Sequence, residues 1–300
     1  MSVVSVEQAV ELLKSGTPVA LPTETVYGLA APIDQPEALK KIFEIKKRPL
    51  SDPLIVHVSS SEMAETVFES FDSDLNQLTK TFWPGPLTLV APKNKVRVSD
   101  LITSGIPTVA VRMPDSKIFR EIIEKVGSPL AAPSANLFKK VSPTTADHIL
   151  QTLPEVHVVD GGACKVGIES TIYDVANKQI LRPGDITHSQ IEVALGLKIT
   201  YTEKDFTPGS EKEHYRPNSP VLVFENRSDL KKAFKSKKLS AELELNPDPK
   251  LAAKNFYKDL RAYDETKCSQ ICVYFDSSWT QPEWNGLKNR LLKTATTWIK

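Results

Sequence analysis

Two hydrophobic patterns alternate along the chain, one at helical spacing and one in short unbroken runs. Val6, Ala9, Val10, Leu12 and Leu13 share a helical face closed by Gly16. Pro18–Leu21 follows as a buried strand. Ala38–Ile45 places Leu39, Ile42 and Phe43 on one face, and Pro49 biases Arg48 away from helical geometry, so this helix ends there. Leu54–Val58 reads as a short buried strand. Ser59–Thr81 predicts one or two helices, broken at Phe82-Trp83-Pro84-Gly85-Pro86, with Trp83 as a core aromatic and Leu87–Val90 as a strand. Gly105–Pro114 predicts a turn and a strand, Ile118–Val126 a helix, and Leu130–Asn136 a strand passing into a small-residue loop. Ser142-Pro143-Thr144-Thr145 opens a helix over Ala146–Leu153. Strands at Val156–Asp160, Ile172–Val175 and Ile180–Arg182, then a helix at Ser189–Leu195, complete this part.

From Thr200 the composition turns to proline, glycine and charge, including Thr207-Pro208-Gly209 and His214-Tyr215-Arg216-Pro217, which reads as a linker. Beyond it come a strand (Val221–Phe224), a helix (Ser228–Lys235), a weak stretch to Pro249, a helix (Leu251–Tyr263), a strand (Ile271–Phe275) and a helix (Leu287–Trp298). The alternation predicts an α/β chain: a first domain over residues 1–199, a linker over 200–219, and a small α/β domain over 220–300.

Composition narrows the function classes. A net charge of +1 gives no global field for a polyanion, so phosphate chemistry must come from local clusters. Cys164, Cys268 and Cys272 are too few and too scattered for a disulfide framework, and read as free thiols in a reducing compartment. The N-terminus shows no secretory signal and no apolar run is long enough to span a bilayer, which places the protein in the cytoplasm as an expectation.

Candidate chemistry gathers at predicted strand ends and helix starts. Lys46-Lys47-Arg48-Pro49 is a basic, proline-stiffened loop between a helix and a strand. On its own it reads equally well as a solvated helix end, where cations complement the dipole. Arg112 closes an apolar run and needs an anionic partner if it lies inside, either a substrate carboxylate or phosphate or a structural acid. Thr23, Thr25, Ser134, Ser142, Ser170 and Arg182 add hydroxyls and another cation, with Asn136 in the small-residue loop. Ser142 serves a helix N-terminus equally well as a cap or as an anion contact. The spacing of Gly162 and Gly167 imitates a P-loop, but Ile168 and Glu169 stand where Lys and Ser or Thr are required, so a Walker site is rejected. Several charge-assisted hydrogen bonds converging in one cleft would hold a triphosphate and stabilise charge developing at phosphorus. With no Ser-His-Asp or Cys-His pattern, catalysis by positioning and electrostatics is favoured.

Six segments carry a resemblance to a known family: Pro22-Thr23-Glu24-Thr25-Val26-Tyr27-Gly28-Leu29, the run from Lys46 to His57, Trp83-Pro84-Gly85-Pro86-Leu87-Thr88, Ala132-Pro133-Ser134-Ala135-Asn136, Gly167-Ile168-Glu169-Ser170-Thr171 and Leu181-Arg182-Pro183-Gly184. In kind and order they resemble the motifs of the threonylcarbamoyl-AMP synthase family, over residues from about 5 to 196. The His-Tyr linker and the segment after it resemble the two-domain branch more loosely. The resemblance implies a twisted, mostly parallel YrdC-like sheet with a large cavity, plus a small Rossmann-like C-terminal α/β domain. It implies a nucleotidyltransferase that joins L-threonine, bicarbonate and ATP into threonylcarbamoyl-AMP and pyrophosphate. That is the first step towards N6-threonylcarbamoyladenosine in tRNA, with Mg2+ accompanying ATP and a separate transferase acting downstream as a transient partner. Stable nucleic-acid binding and membrane association are not expected.

By motif, Lys46 and Arg48 would be catalytic, offsetting negative charge in the transition state. Thr25, His57, Arg112 and Ser170 would hold threonine, with Arg112 on its carboxylate. Lys46, Arg48, Asp52, Thr108, Ser134, Asn136, Ser142, Arg182 and Tyr215 would surround the nucleotide, Tyr215 as a lid from the linker. No protein metal ligand is implied. Departures from the family pattern are Asp52 where Asn is frequent, Ser116 in place of a common histidine, and Phe138-Lys139 in place of a small pair. On the residues alone a module for double-stranded RNA or tRNA stays open, as does a carbamoyl-transfer domain acting on carbamoyl phosphate.

Overall fold

The computed structural model describes residues 2–201, 214–236 and 240–299. In chain order the first part runs α1 (Val6–Lys14), β1 (Val19–Leu21), β2 (Gly28–Pro32), α2 (Pro36–Lys46), β3 (Ile55–His57), α3 (Ser61–Val67), α4 (Ser73–Phe82), β4 (Leu87–Pro92), α5 (Asp100–Thr103), β5 (Thr108–Arg112), α6 (Lys117–Val126), β6 (Leu130–Ala131), α7 (Ala146–Thr152), β7 (His157–Val158), β8 (Thr171–Asp174), β9 (Gln179–Arg182), α8 (His188–Leu195) and β10 (Thr200–Tyr201). The second part runs β11 (Val221–Phe224), α9 (Arg227–Ser236), β12 (Ser240–Leu243), α10 (Pro249–Glu265), β13 (Gln270–Tyr274), α11 (Asn285–Thr294) and β14 (Thr297–Ile299).

Local chemistry explains the boundaries. Ser5 and Gln8 form a reciprocal capping box that starts α1. Thr187 and Gln190 do the same for α8. Asp72 caps α4 and Asp248 caps α10, where Pro249 occupies the first turn. Lys47 takes a left-handed conformation at the end of α2, which swings the chain out of the helix and into the Arg48 loop.

The strands form two sheets. The ten-stranded sheet has the order β10-β9-β8-β4-β5-β3-β6-β2-β1-β7, and the four-stranded one β12-β13-β11-β14. The small sheet is parallel throughout, as expected of a Rossmann-like unit. The large sheet mixes its pairings: β3 with β5 and β4 with β8 run parallel, while β4 with β5 and β3 with β6 run antiparallel. The α/β character and the mainly parallel pairing hold across the two sheets together.

Several elements depart from the sequence expectation, among them α5 (Asp100–Thr103) and β10 (Thr200–Tyr201), which the apolar pattern does not mark. Gly28–Pro32 folds back as β2, antiparallel to β1, a strand the apolar pattern does not mark. The weak stretch before Pro249 contains β12. The last helix stops at Thr294, and Trp298 lies in β14 beside β11. Trp83 is buried in the main core, with its indole N–H donating to the Leu87 carbonyl at 2.7 Å, as a core aromatic should. Of the linker, residues 202–213, including Thr207-Pro208-Gly209, lie outside the described residues.

The topology gathers the motif loops. His57 ends β3 in register with Arg112 at the end of β5. Ser170 immediately precedes β8, and Arg182 ends β9 opposite Ile172. Gly28 bridges to Ser134, which draws the loop after β6 against the start of β2. Strand alternation places Ile55 and His57 on one sheet face, with Thr108, Ala110 and Arg112 on the same face of the neighbouring strand.

Candidate active site

One cavity lies over that face. It is lined by Thr23, Thr25, Arg48, His57, Arg112, Ser134, Glu169, Ser170, Arg182, His214 and Tyr215, among others. Its volume is about 50 Å3, small against the large cavity expected. His214 and Tyr215 pack at 4.1 Å between ring centroids and close the space from the linker side. Tyr215 holds a φ of 59°, a left-handed conformation uncommon for a bulky residue, so the chain turns sharply where it enters the wall.

At one end Arg112 is buried and anchored on three sides. Its Nε donates to the Gly85 carbonyl at 3.1 Å and its Nη1 to the Thr25 hydroxyl at 2.8 Å. Nη2 lies 2.5 Å from Glu24 Oε1. The sequence requirement for an anionic partner is therefore met by a glutamate. That contact lacks hydrogen-bond alignment: among the described residues neither Glu24 oxygen nor Arg112 Nη2 makes an aligned bond. The Thr25 hydroxyl is fixed by Thr23 at 2.8 Å, whose own hydroxyl bonds to the Val26 carbonyl at 2.6 Å. His57 packs on Phe119, and burial holds its imidazole down at about 3, so it stays neutral at physiological pH.

Ser170 and Arg182 form a second cluster. The Ser170 hydroxyl shares a 2.7 Å hydrogen bond with Thr88 and accepts from Arg182 Nη2 at 3.1 Å. Arg182 Nε also donates to the Ser170 carbonyl at 3.1 Å. Burial lowers Arg182 from its ordinary range and pushes the Tyr215 phenol up to about 12.

At the other end the basic loop divides. Arg48 faces the cavity, held by the Asp52 and Pro53 carbonyls at 3.2 and 2.8 Å and by the Asp52 carboxylate at 2.9 Å. Lys46 does not line the cavity. Its Nζ donates to the carbonyls of Ser134 and Asn136 at 2.5 and 2.6 Å, so it organises the small-residue loop from behind. Burial, then the nearby Arg48 charge, lower its pKa well below the usual lysine range.

The structure thus brings Thr25, Arg48, His57, Ser134, Arg112, Ser170, Arg182 and Tyr215 onto one wall system. Lys46, Asp52, Thr108, Asn136 and Ser142 are not among the lining residues. Asp52 stands behind Arg48 as its counter-ion. Thr108 is two residues before Ala110, the partner of Ile55, which puts it level with Pro53 on the cavity face. Asn136 donates to the Leu137 and Lys140 carbonyls, while its Oδ1 is buried without a hydrogen-bond partner among the described residues. Ser142 neither caps α7, which Thr145 caps, nor lines the cavity: its hydroxyl donates to Glu169 Oε1 at 2.6 Å.

Sequence reasoning missed Glu169 and the residues that hold it. Glu169 lines the cavity and accepts from Tyr257 at 3.0 Å and from Arg290 Nε at 2.8 Å. Burial alone would raise its pKa, but Arg290 and Arg182 outweigh it and hold the carboxyl at about 2. A glutamate inside an apolar motif was the available signal for Glu169. Tyr257 and Arg290 sit on helices that read as ordinary amphipathic surface.

Among the described residues no group of three or more His, Cys, Asp or Glu side chains could hold a metal ion, and no helix is long and apolar enough to cross a membrane. All three cysteines are free thiols.

Comparison with known proteins adds independent findings. A family model carrying the description "Telomere recombination" matches residues 11–184. A second, "Threonylcarbamoyl-AMP synthase, C-terminal domain", matches residues 186–296. A threonylcarbamoyl-AMP synthase of Bacillus subtilis is 41% identical over an alignment covering 73% of this chain and 66% of that protein. One of Pyrococcus abyssi is also 41% identical, covering 74% of this chain and 68% of that protein. The chain thus spans about two thirds of the length of these relatives. The crystal structure of P. abyssi Sua5 complexed with L-threonine superimposes with a TM-score of 0.91 at 32% identity, covering 100% of this chain and 98% of that one.

Proposed function

The chain belongs to the threonylcarbamoyl-AMP synthase family, and from that premise we propose that it is a nucleotidyltransferase making threonylcarbamoyl-AMP and pyrophosphate from L-threonine, bicarbonate and ATP. The observation that carries this reading is the convergence of Arg48, Arg112 and Arg182 with the hydroxyls of Thr25, Ser134 and Ser170 on one cavity, from segments far apart in the chain. The product would feed the threonylcarbamoyl modification of tRNA through a separate transferase.

Each end of the cavity suits one substrate. A threonine carboxylate matches Arg112, whose Nη2 lacks an aligned bond, with the Thr25 and Ser170 hydroxyls on either side. Neutral His57 lies beside Arg112 as an uncharged hydrogen-bonding wall. Arg48 and Arg182 are the cations for the triphosphate, and the Ser134 loop, stiffened by Lys46, approaches closely through small residues.

The threonine amine would add to carbon dioxide with loss of a proton, or to bicarbonate with loss of water, to give a carbamate, and a carbamate oxygen would then attack the α-phosphorus in line. The bond from that phosphorus to the bridging oxygen breaks, and pyrophosphate leaves with the electron pair. Positive side chains offset the charge that builds on the phosphoryl oxygens. Arg48 can do this directly. Lys46, expected as its equal, acts through the Ser134 and Asn136 carbonyls, and an arriving phosphate would raise its depressed pKa. Hydroxyls and guanidinium groups suit phosphate oxygens better than a divalent ion. Magnesium would therefore enter on the triphosphate, which satisfies its preference for oxygen. Tyr215 and His214 would have to move for ATP to fit the closed volume, which supports a lid role for this segment.

The test is ATP consumption with threonine and bicarbonate omitted in turn. Pyrophosphate release should need both. Release indifferent to both would defeat the proposal.

A further inference from the structure

The unit built on the small sheet reaches the cavity wall at Glu169 through Tyr257 of α10 and Arg290 of α11, and Arg290 makes the more extensive contact. Arg290 lies on α11 with 0% of its surface exposed. Besides its bond to the Glu169 carboxylate, its Nη2 donates to the Glu169 carbonyl at 3.0 Å and its Nη1 to the Pro183 carbonyl at 2.6 Å. One guanidinium therefore ties two separate loops together. Each loop continues directly into a cavity-lining residue: Glu169 precedes Ser170, and Pro183 follows Arg182.

The backbones fit closely around this tie. A side chain at Gly286 would come within 2.9 Å of the Gly184 carbonyl. Gly167 turns with a φ of 81° against the Lys254 backbone of α10. Balancing one carboxylate would need only a point charge. A planar fork with donors on a carboxylate and two carbonyls fixes geometry as well.

We propose that Arg290 is a positioning residue for the cavity: by gripping the Glu169 and Pro183 loops together, it sets the spacing between the Ser170 hydroxyl and the Arg182 guanidinium. The C-terminal unit is then part of the catalytic machinery, with no contact to substrate of its own. The proposal rests on the functional reading above, because it takes Ser170 and Arg182 as substrate-facing groups.

Two full-length variants test it. Arg290→Lys keeps the charge but replaces three spaced nitrogens in a planar fork with one ammonium nitrogen, which cannot span the Glu169 and Pro183 loops in the same way. The pair Glu169→Gln with Arg290→Met removes both charges, which avoids leaving one buried and unpaired. Both should melt cooperatively and yet lose roughly tenfold to a hundredfold in kcat/KM for threonine, the scale expected when reacting groups are misplaced by about an ångström. Turnover within about twofold of wild type in either cooperatively melting variant overturns the proposal, whatever the shift in melting temperature. Wild-type pyrophosphate release that ignores threonine would sink the functional reading instead. The positioning role is then judged on ATP binding by calorimetry, which should weaken in both variants because Arg182 moves with Ser170. Unchanged ATP affinity would overturn it.

Discussion

Two buried arginine–glutamate pairs flank the same cavity and are built to opposite ends. In the first, Arg112 lies 2.5 Å from Glu24, but neither Glu24 oxygen nor the Arg112 Nη2 involved makes an aligned bond among the described residues. In the second, Glu169 is gripped by Arg290, Tyr257 and Ser142 together. A buried charge is costly unless its hydrogen-bonding capacity is filled. The saturated pair therefore reads as a structural clamp. The unsaturated pair leaves hydrogen-bonding capacity on Arg112 and Glu24 unfilled, which under the proposed function a zwitterionic substrate would complete, its carboxylate on Arg112.

The clamp should give the largest effect, and acid should reveal it. Glu169 is held at about 2 in the folded protein, against an ordinary carboxyl value of 4.5. A depressed folded value means that the stability is fully present above the ordinary value. It is lost as pH falls through the folded one, so the window runs from about pH 4.5 to 2. The difference corresponds to roughly 3 kcal/mol. Denaturant unfolding of wild type between pH 5 and 2, set against Glu169→Gln, should show that excess acid sensitivity in wild type only. Parallel curves would dissolve the contrast between the pairs.

The unsaturated pair should show its effect in binding. Arg112→Ala should weaken threonine binding by roughly tenfold to a hundredfold, from the loss of a charge-assisted bond worth about 1.5–3 kcal/mol. ATP affinity should change far less. Calorimetric titration with each ligand checks this, and equal losses would show that Arg112 is no more specific than the clamp. A smaller effect is expected at Thr25, which orients Arg112 Nη1 through a neutral hydroxyl. Thr25→Val should weaken threonine binding by about tenfold or less, as expected of a bond worth about 0.5–1.5 kcal/mol. No loss would mean that Arg112 is held well enough by the Gly85 carbonyl alone.

These pairs also show where sequence reading reaches its limit. Apolar periodicity located most helices and strands, because periodicity is a local record of which face is buried. Arg112 was legible as a buried charge in search of an anion, since it closes an apolar run. Glu24 was quoted within a motif but not recognised as that anion, because the contact joins segments nearly ninety residues apart. Arg290 was invisible for the same reason on a larger scale: its helix carries Lys288 and Lys293, so it looks like one more surface cation. Ser142 misled in the opposite sense. A serine before a helix suggests a cap or an anion site, yet Thr145 caps the helix and the Ser142 hydroxyl serves Glu169. The expected helix over Leu287–Trp298 runs too far, because the run Thr296-Thr297 favours the extended pairing seen in β14.

A third ion pair lies between the two extremes and should give the smallest effect. Arg48 faces the cavity, and Asp52 balances it from behind at 2.9 Å. The Asp52 side chain is 15% exposed, so the pair is more open to solvent screening than the clamp. Two backbone carbonyls hold the guanidinium regardless of the carboxylate. Asp52→Asn should therefore leave Arg48 in place while removing the negative charge that competes with phosphate. ATP affinity should rise severalfold, because one negative charge competing with phosphate for the Arg48 guanidinium is removed. Threonine affinity should change less, because Arg112 is held by Thr25, Gly85 and Glu24 and not by the Asp52 loop. An ATP affinity that falls would mean that Asp52 aims Arg48 instead of muting it. The pair would then belong with the clamp, and only the Arg112 corner would remain as a charge held ready for substrate.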